Sequence, residues 1–407
     1  MSSIDNFEFR TIEEAEQEAF DNAVKYVFAV SSTDPVPEEE ALKPEWTTAA
    51  FHKGKIVATS GGYPFIMRLN GKPMHVDGLT AVGTEPGFRR RGLVREMVTR
   101  RLHEVHEHKQ QSASILWASF GAIYQRFGYG LGSSHTFCKF DPRYAAFQFR
   151  HEVPGYVRIV NAEEGEPLIR KLYRQFIEDR TLELERDDDV WWTNHFGTKK
   201  RRSYCAIYFN ANDEPEGYIS YNTSNLEPSP EEGPDQKLFA RDFIYLNIQA
   251  YRALWEFIRE HDLVGRVEMP MPVDDPAMNM LLEPRALRLT LSDGIWFRIV
   301  DAAQALTQRD YSGPGNVVLE IRNDPECPWN ERRYELETDG ETTEVAETNK
   351  SPQLTISPNG LASLMSGNAS LSELNRIGRA DVTDTSQLRY FNLMFSTKYR
   401  PFCRNGF

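Results

Sequence analysis

The chain has 407 residues, which at roughly 150 residues per domain is too many for one typical core, so two or three units are expected. Its 40% hydrophobic and 12% aromatic residues are enough to bury such cores, which excludes a disordered chain. A formal net charge of -13 disfavours nucleic acid as a partner, because most of the surface would repel a polyanion; it suits a small cationic amine, besides simply aiding solubility.

The first twenty residues are acidic and lack a positive flank followed by an apolar stretch, so no secretory signal is read there. No run of 18 apolar residues occurs, and the expectation is a cytoplasmic protein with no membrane partner. Cys138, Cys205, Cys327 and Cys403 are widely scattered, which argues against a disulfide framework and against a zinc cluster. They read as ordinary thiols, and no metal is expected.

Region one covers residues 1–142. Residues 51–82 read as successive antiparallel strands turned at Gly61–Gly62 and at Asn70–Gly71, flanked by helices. The strand over 75–82 leads into a loop carrying Arg89, Arg90, Arg91 and Gly92. Beyond it Leu93, Val94, Met97, Val98, Leu102 and Val105 recur at helical spacing, which puts the loop at a helix N-terminus. Free N–H groups and the helix dipole there favour an anion, Gly92 permits close approach of a diphosphate, and the arginines supply charge and donors. This is a docking place for a phosphorylated cofactor; the plainer reading is a solvated basic turn. Residues 112–119 follow as a strand and 121–130 as a short helix ended by glycines. His103, His106 and His108 are spaced i, i+3 and i+5 instead of the i, i+4 of a zinc-binding helix, and read as a solvated face.

Region two, residues 143–292, repeats the order of elements: a helix over 163–181, a hairpin over 203–222, then a strand feeding a helix over 242–263. Its strand-to-helix junction at 246–251 has no glycine and no arginine apart from Arg252 just beyond, so a structural role is expected. The acidic run 183–189 and the basic run 199–202 read as solvated loops. Region three, residues 293–407, begins with an extended and then helical stretch at 293–306, continues through strands at 316–321 and 332–337 and an acidic exposed turn over 337–347, and ends in helical segments and an aromatic-rich tail.

The loop around Arg89 and Gly92 resembles the coenzyme A diphosphate loop of the GNAT N-acetyltransferases, Q/R-x-x-G-x-G/A, with Val94 where a small residue is usual. A bulky residue there is common in the Eis-like (enhanced intracellular survival) branch, whose second signature 121–130 also resembles. The resemblance implies an α/β (α+β) fold of tandem GNAT-type mixed-sheet domains followed by a sterol carrier protein-like domain. It implies an acetyl-CoA co-substrate held by Val82, Gly83, Thr84, Arg89, Arg90, Arg91, Gly92, Leu93, Val94, Arg95, Ser119 and Phe120. The family usually carries an acidic residue at Phe120, so a backbone contact survives there while a side-chain role is lost. The resemblance further implies Tyr124 as proton donor to the departing thiolate, the α-carboxylate of Phe407 as base, and a homo-oligomer, commonly a hexamer of two trimers.

Chemistry sets the demands on these groups. An alkyl ammonium with a pKa of about 10.4 must lose a proton before it attacks, and a carboxylate near 3.5 is weaker by roughly 7 units, so positioning and a water relay must close the gap. A tyrosine near 10 facing a thiol near 8.5 is mismatched by only about 1.5 units, or roughly 2 kcal/mol. The expected function is transfer of an acetyl group to a primary amine of aminoglycoside, polyamine or lysine type by direct attack in a ternary complex. The competing readings are a non-enzymatic carrier of an apolar ligand with a vestigial GNAT fold, and an acyltransferase using longer acyl-CoA.

Overall fold

The computed structural model describes residues 4–31, 41–149, 151–187, 191–192, 195–196, 202–227 and 233–407. The basic run 199–202, apart from Arg202, and the last two residues of the acidic run 183–189 lie outside them. Two compact units are present, and the three regions read from the sequence are distributed over them. One unit joins Met1–Ser133, Ile295–Lys398 and Gly406–Phe407, and the other joins Ser134–Gly294 and Tyr399–Asn405.

The first unit opens with β1 (Glu8–Arg10), α1 (Gln17–Val27), β2 (Thr47–His52), β3 (Lys55–Leu69), β4 (Lys72–Thr84), α2 (Leu93–His108), β5 (Ala113–Trp117), α3 (Gly121–Gln125) and β6 (Gly130–Leu131). The other unit contains β7 (Ser134–Phe140), β8 (Tyr156–Val160), α4 (Ala162–Ile177), β9 (Ser203–Phe209), β10 (Pro215–Asn225), β11 (Gln236–Tyr245), α5 (Ile248–Arg259), β12 (Val264–Pro272), α6 (Ala277–Met280) and β13 (Thr290–Asp293). The chain then returns to the first unit with β14 (Ile295–Ile299), α7 (Ala302–Gln308), β15 (Gly315–Ile321), β16 (Arg333–Thr338), β17 (Thr343–Glu347), β18 (Leu354–Ile356), α8 (Pro358–Ser366), α9 (Leu371–Arg376), β19 (Ala380–Val382) and α10 (Leu388–Met394).

The first sheet runs β1-β2-β3-β4-β5-β14-β6, and its one parallel pair is β4 with β5. On α2, Leu93, Met97, Val98, Leu102 and Val105 are buried, as their spacing demands. One expected turn is absent: β3 passes straight through Gly61 and Gly62, with a register shift between Thr59 and Gly61. The β2–β3 turn lies instead at Lys53 and Gly54, both with positive φ, and Asn70–Gly71 turns β3 into β4 as expected. The glycine pair serves packing, since a Cβ on Gly61 would meet the Leu42 side chain and one on Gly62 would overlap the Asp77 carboxylate and crowd the Arg101 guanidinium. β14, expected in region three, completes this first sheet, pairing with β5 and β6.

In the second unit the order is β13-β7-β12-β11-β10-β9-β8, again with a single parallel pair, β11 with β12. The region-one segment β7 belongs to this sheet, paired with β12 and β13. The N-terminus of α5 is closed by the Asn247 side chain, which accepts from the Ala250 N–H at 2.9 Å. Phe243, Tyr245, Tyr251 and Trp255 interlock edge to face beside it.

A third sheet, β17-β16-β15-β18-β19, lies in the first unit. The acidic stretch 337–347 is only in part a turn there: Asp339 caps a tight reversal by accepting from the N–H groups of Glu341 and Thr342, and the flanking residues pair as β16 and β17. All four cysteines are buried and free. Among the described residues no helix is long and apolar enough to cross a membrane.

Candidate active site

β4 and β5 are hydrogen-bonded only from Val76–Ala113 to Gly78–Ile115, and their pairing ends there although both strands continue, β4 for six residues to Thr84. Part of β4 past this point bulges. Ala81 and Val82 oppose the single residue Ser60 of β3, and Ala81 takes a left-handed φ of 53° while its carbonyl accepts from Thr59 Oγ1 at 2.8 Å. Such strain in a non-glycine residue clusters at functional sites. Val82 is half-buried, Gly83 and Thr84 are buried, and Thr84 Oγ1 has no hydrogen-bond partner among the described residues. An orphaned hydroxyl beside parted strands fits an extended amide-bearing ligand that adds its own hydrogen bonds.

The chain leaves β4 through a 3-10 turn, Pro86–Phe88, and enters α2 with Arg90 at φ 63° and Gly92 at φ 90°. Nothing lies closer than 3.8 Å to a Cβ built on Gly92, so the left-handed backbone, not lack of room, calls for glycine. No side chain caps α2, and its first internal bond runs from the Glu96 N–H to the Gly92 carbonyl. The N–H groups of Leu93, Val94 and Arg95 therefore point out of the helix end. Leu93 is buried and Val94 half-buried, packed inward, so these two residues have only their backbone to offer. Arg89 Nε donates to the Thr84 carbonyl at 3.2 Å and Arg91 Nη2 to the Gly87 carbonyl at 3.1 Å, with the Arg91 guanidinium over the Phe88 ring. Those contacts shape the loop, and all four arginines, Arg89, Arg90, Arg91 and Arg95, stand exposed.

After β5, Ser119 and Phe120 are exposed and α3 begins. That helix ends in a Schellman motif: the Gly128 N–H donates to the Gln125 carbonyl and the Tyr129 N–H to the Tyr124 carbonyl, with Gly128 at φ 82°. The hydrophobic contact that accompanies this motif joins the rings of Tyr124 and Tyr129, 5.9 Å apart and edge to face. Tyr124 packs in one cluster with Leu79, Val82, Val94 and Leu116, which brings together β4 and β5 past their parting, the start of α2, and α3. Its hydroxyl has no hydrogen-bond partner among the described residues, and burial alone pushes its pKa up to about 12.

The Phe407 ring lies edge-on to Phe65 at 5.0 Å and over Gly78, where a Cβ would come within 3.3 Å of Phe407 Cε2. Gly78 is the last residue of β4 to pair with β5, so residue 407 sits where the two strands part. Beneath them runs a buried polar chain that sequence reasoning missed. Arg101 of α2 donates through Nε and Nη2 to Asp77 Oδ1 at 2.9 and 2.6 Å, Ser114 Oγ donates to Asp77 Oδ2 at 3.0 Å, and Tyr129 donates to Ser114 Oγ at 2.8 Å. Neither Ala81 nor this chain carries a local signal. His103 and His106 do not face only solvent, since they pack edge-on and stacked on Trp329.

Comparison with known proteins bears on the family and the fold. The acetyltransferase (GNAT) domain families match residues 8–132 and again 182–299, and the sterol carrier protein domain family matches residues 302–404. An uncharacterized N-acetyltransferase of Streptomyces avermitilis is 27% identical over the whole of both chains. The N-acetyltransferase Eis of Mycobacterium tuberculosis is 25% identical, covering 91% of this chain and 92% of its own. Eis1 from Mycobacterium abscessus superposes with a TM-score of 0.83 at 24% identity, and a GCN5-related N-acetyltransferase from Anabaena variabilis with 0.87 at 21%, each over 98% of this chain and all of the other. The matched families and relatives define a GNAT-type N-acetyltransferase, an enzyme. Within that class the chain belongs to the Eis-like acetyltransferases, with two GNAT domains followed by a sterol carrier protein-like domain.

Proposed function

We propose that this enzyme moves the acetyl group of acetyl-CoA to a primary amine of a small polycation, of aminoglycoside or polyamine type, or of a lysine side chain, by direct attack in a ternary complex. The observation that carries the reading is the parting of β4 from β5 past Gly78, next to the uncapped, glycine-led N-terminus of α2. In this reading the N–H groups of residues 92–95, with Arg89, Arg90 and Arg91, hold the diphosphate. Val82, Gly83 and Thr84 pair through their backbone with the pantetheine amides, and Ser119 and Phe120 contribute backbone at the far wall. The α-carboxylate of Phe407 draws the substrate ammonium into place and receives its proton through water, while Tyr124 gives its proton to the departing thiolate.

Burial of Tyr124 sharpens the energetics. With its pKa pushed up to about 12, the gap to a thiol near 8.5 is about 3.5 units, or about 5 kcal/mol in water. The same apolar surroundings destabilise a thiolate as well as a phenolate, so the gap within the site is smaller than that. The division of labour follows residues 1–142 for the co-substrate, 143–292 as a second GNAT-type unit without a diphosphate loop, and 293–407 as the sterol carrier protein-like region. A homohexamer accompanies this reading. The test is thiol release from acetyl-CoA and from longer acyl-CoA esters across aminoglycosides, polyamines, hydrazides and lysine peptides. Turnover with one amine class is expected; no release with any amine would overturn it.

A further inference from the structure

The Schellman motif fixes the backbone of α3, yet a five-residue helix is too short to hold a side chain steady by itself. Its support comes from 230 residues further on. Asn359, in the first turn of α8, donates from Nδ2 to the Tyr129 carbonyl at 2.7 Å and to the Gln125 carbonyl at 2.9 Å. Both partners are pure acceptors, so the amide nitrogen, with its two protons, must face them. Ser363, one turn later on α8, donates to the Leu131 carbonyl at 2.9 Å. Gly130 lies so close to α8 that a Cβ there would overlap the Asn359 carbonyl oxygen. The segment 124–131 is therefore held on both sides, by the Arg101–Asp77–Ser114–Tyr129 chain within and by α8 without.

We propose that Asn359 is a positioning residue for Tyr124, which makes the α8 turn of the sterol carrier protein-like region a working part of the acetyl-transfer site. The inference rests on the reading of Tyr124 as proton donor. Asn359 ties together the carbonyls at both ends of the turn 125–129, whose ring contact sets the tilt of the Tyr124 phenol, and among the described residues its side chain makes no hydrogen bond to α2 or to the loop 86–92 that would hold the co-substrate. Loosening that tie moves the hydroxyl away from the leaving sulfur, and displacements of about 1 Å can cost up to about 100-fold in rate.

Asn359→Asp keeps the shape of the side chain but removes both donors and sets a carboxylate against two carbonyl oxygens. Measured by thiol release with the amine found active, kcat is expected to fall about ten-fold or more, with KM for acetyl-CoA and calorimetric coenzyme A affinity changed less than about two-fold. In a Tyr124→Phe background the same substitution is expected to cost less than about two-fold, because the group it positions is gone. Equal losses in both backgrounds, or no loss in the native one, would overturn the proposal. Full turnover by Tyr124→Phe alone would instead defeat the proton-donor reading. Should the aspartate variant not fold, Asn359→Ala, which adds no charge at a half-buried helix-start position, is read by the same criteria.

Discussion

Tyr124 is a phenol with no acceptor for its proton among the described residues, held 7% exposed among apolar side chains. Because burial disfavours the phenolate, the pKa moves up to about 12, and the group stays protonated across the range in which the enzyme can work. The sign is the same for folding: the folded pKa lies above the unfolded value near 10, so this group's contribution to stability is constant below pH 10 and is lost as pH rises toward 12. A kcat profile from pH 7 to 10.5 is therefore expected to show no loss from phenol ionisation, and Tyr124→Phe to lower kcat by about 100-fold or more at every pH. A fall with a midpoint near 10 that vanishes in the phenylalanine variant would mean the phenol is far better solvated than its surroundings indicate. At this scale the sequence told much. Arg89, Gly92 and Tyr124 stand in motifs short enough to read, whereas Ala81, Asp77 and Asn359 act through partners 22 to 234 residues away, and no local pattern names such partners.

Two strand-to-helix junctions in the chain have the same outline and opposite ends. At α5 the Asn247 side chain closes the helix on itself; at α2 Gly92 leaves the end open and turns the backbone left-handed. The lack of arginine and glycine around residues 246–251 makes that difference legible in the sequence itself. Gly61–Gly62 departs from the expected turn for a physical reason: a glycine pair signals a turn only if nothing else needs the space, and here the Leu42 and Arg101 side chains and the Asp77 carboxylate fill it. Gly92→Ala tests the open junction. Alanine at φ 90° is disfavoured by about 1–2 kcal/mol although no atom obstructs it. The loop is expected to relax toward negative φ, weakening coenzyme A binding by about ten-fold in calorimetry with a melting temperature lowered by only a few degrees. Unchanged affinity would remove the helix end from the proposed diphosphate site.

At the scale of the whole molecule, sheet membership was the least legible feature. Nothing in the local sequence of β7 or β14 names a sheet, because their sheets are fixed by partners distant in sequence: β7 pairs with β12 and β13, and β14 with β5 and β6. The tail shows the same long reach. Within the second unit Arg404 forms a buried ion pair with Glu183 at 2.8 Å, the Phe402 N–H donates to the Thr181 carbonyl, and Tyr173 donates to Asn405 Oδ1. Phe402 and Cys403 are buried as well, so residues up to 405 have their own anchors. Residue 407 packs by its ring on Phe65 and over Gly78 in the first unit.

Those anchors make the proposed role of the Phe407 carboxylate testable without unfolding the tail. Adding two glycines after Phe407 turns its carboxylate into a neutral amide and moves the terminal charge by up to roughly 7 Å. The ring contacts with Phe65 and Gly78 need no free carboxylate, so the melting temperature and coenzyme A affinity are expected to hold. If the carboxylate steers the ammonium and relays its proton, kcat/KM for the amine is expected to fall by about 100-fold, and a semisynthetic chain ending in an uncharged Phe407 amide to fall alike. The pair of variants separates charge from bulk: the amide adds no atoms beyond a nitrogen in place of an oxygen, whereas the extension adds both length and a displaced charge. Loss in the extended chain alone would assign the effect to crowding where β4 and β5 part, and native turnover in both would leave the amine to be deprotonated by another group.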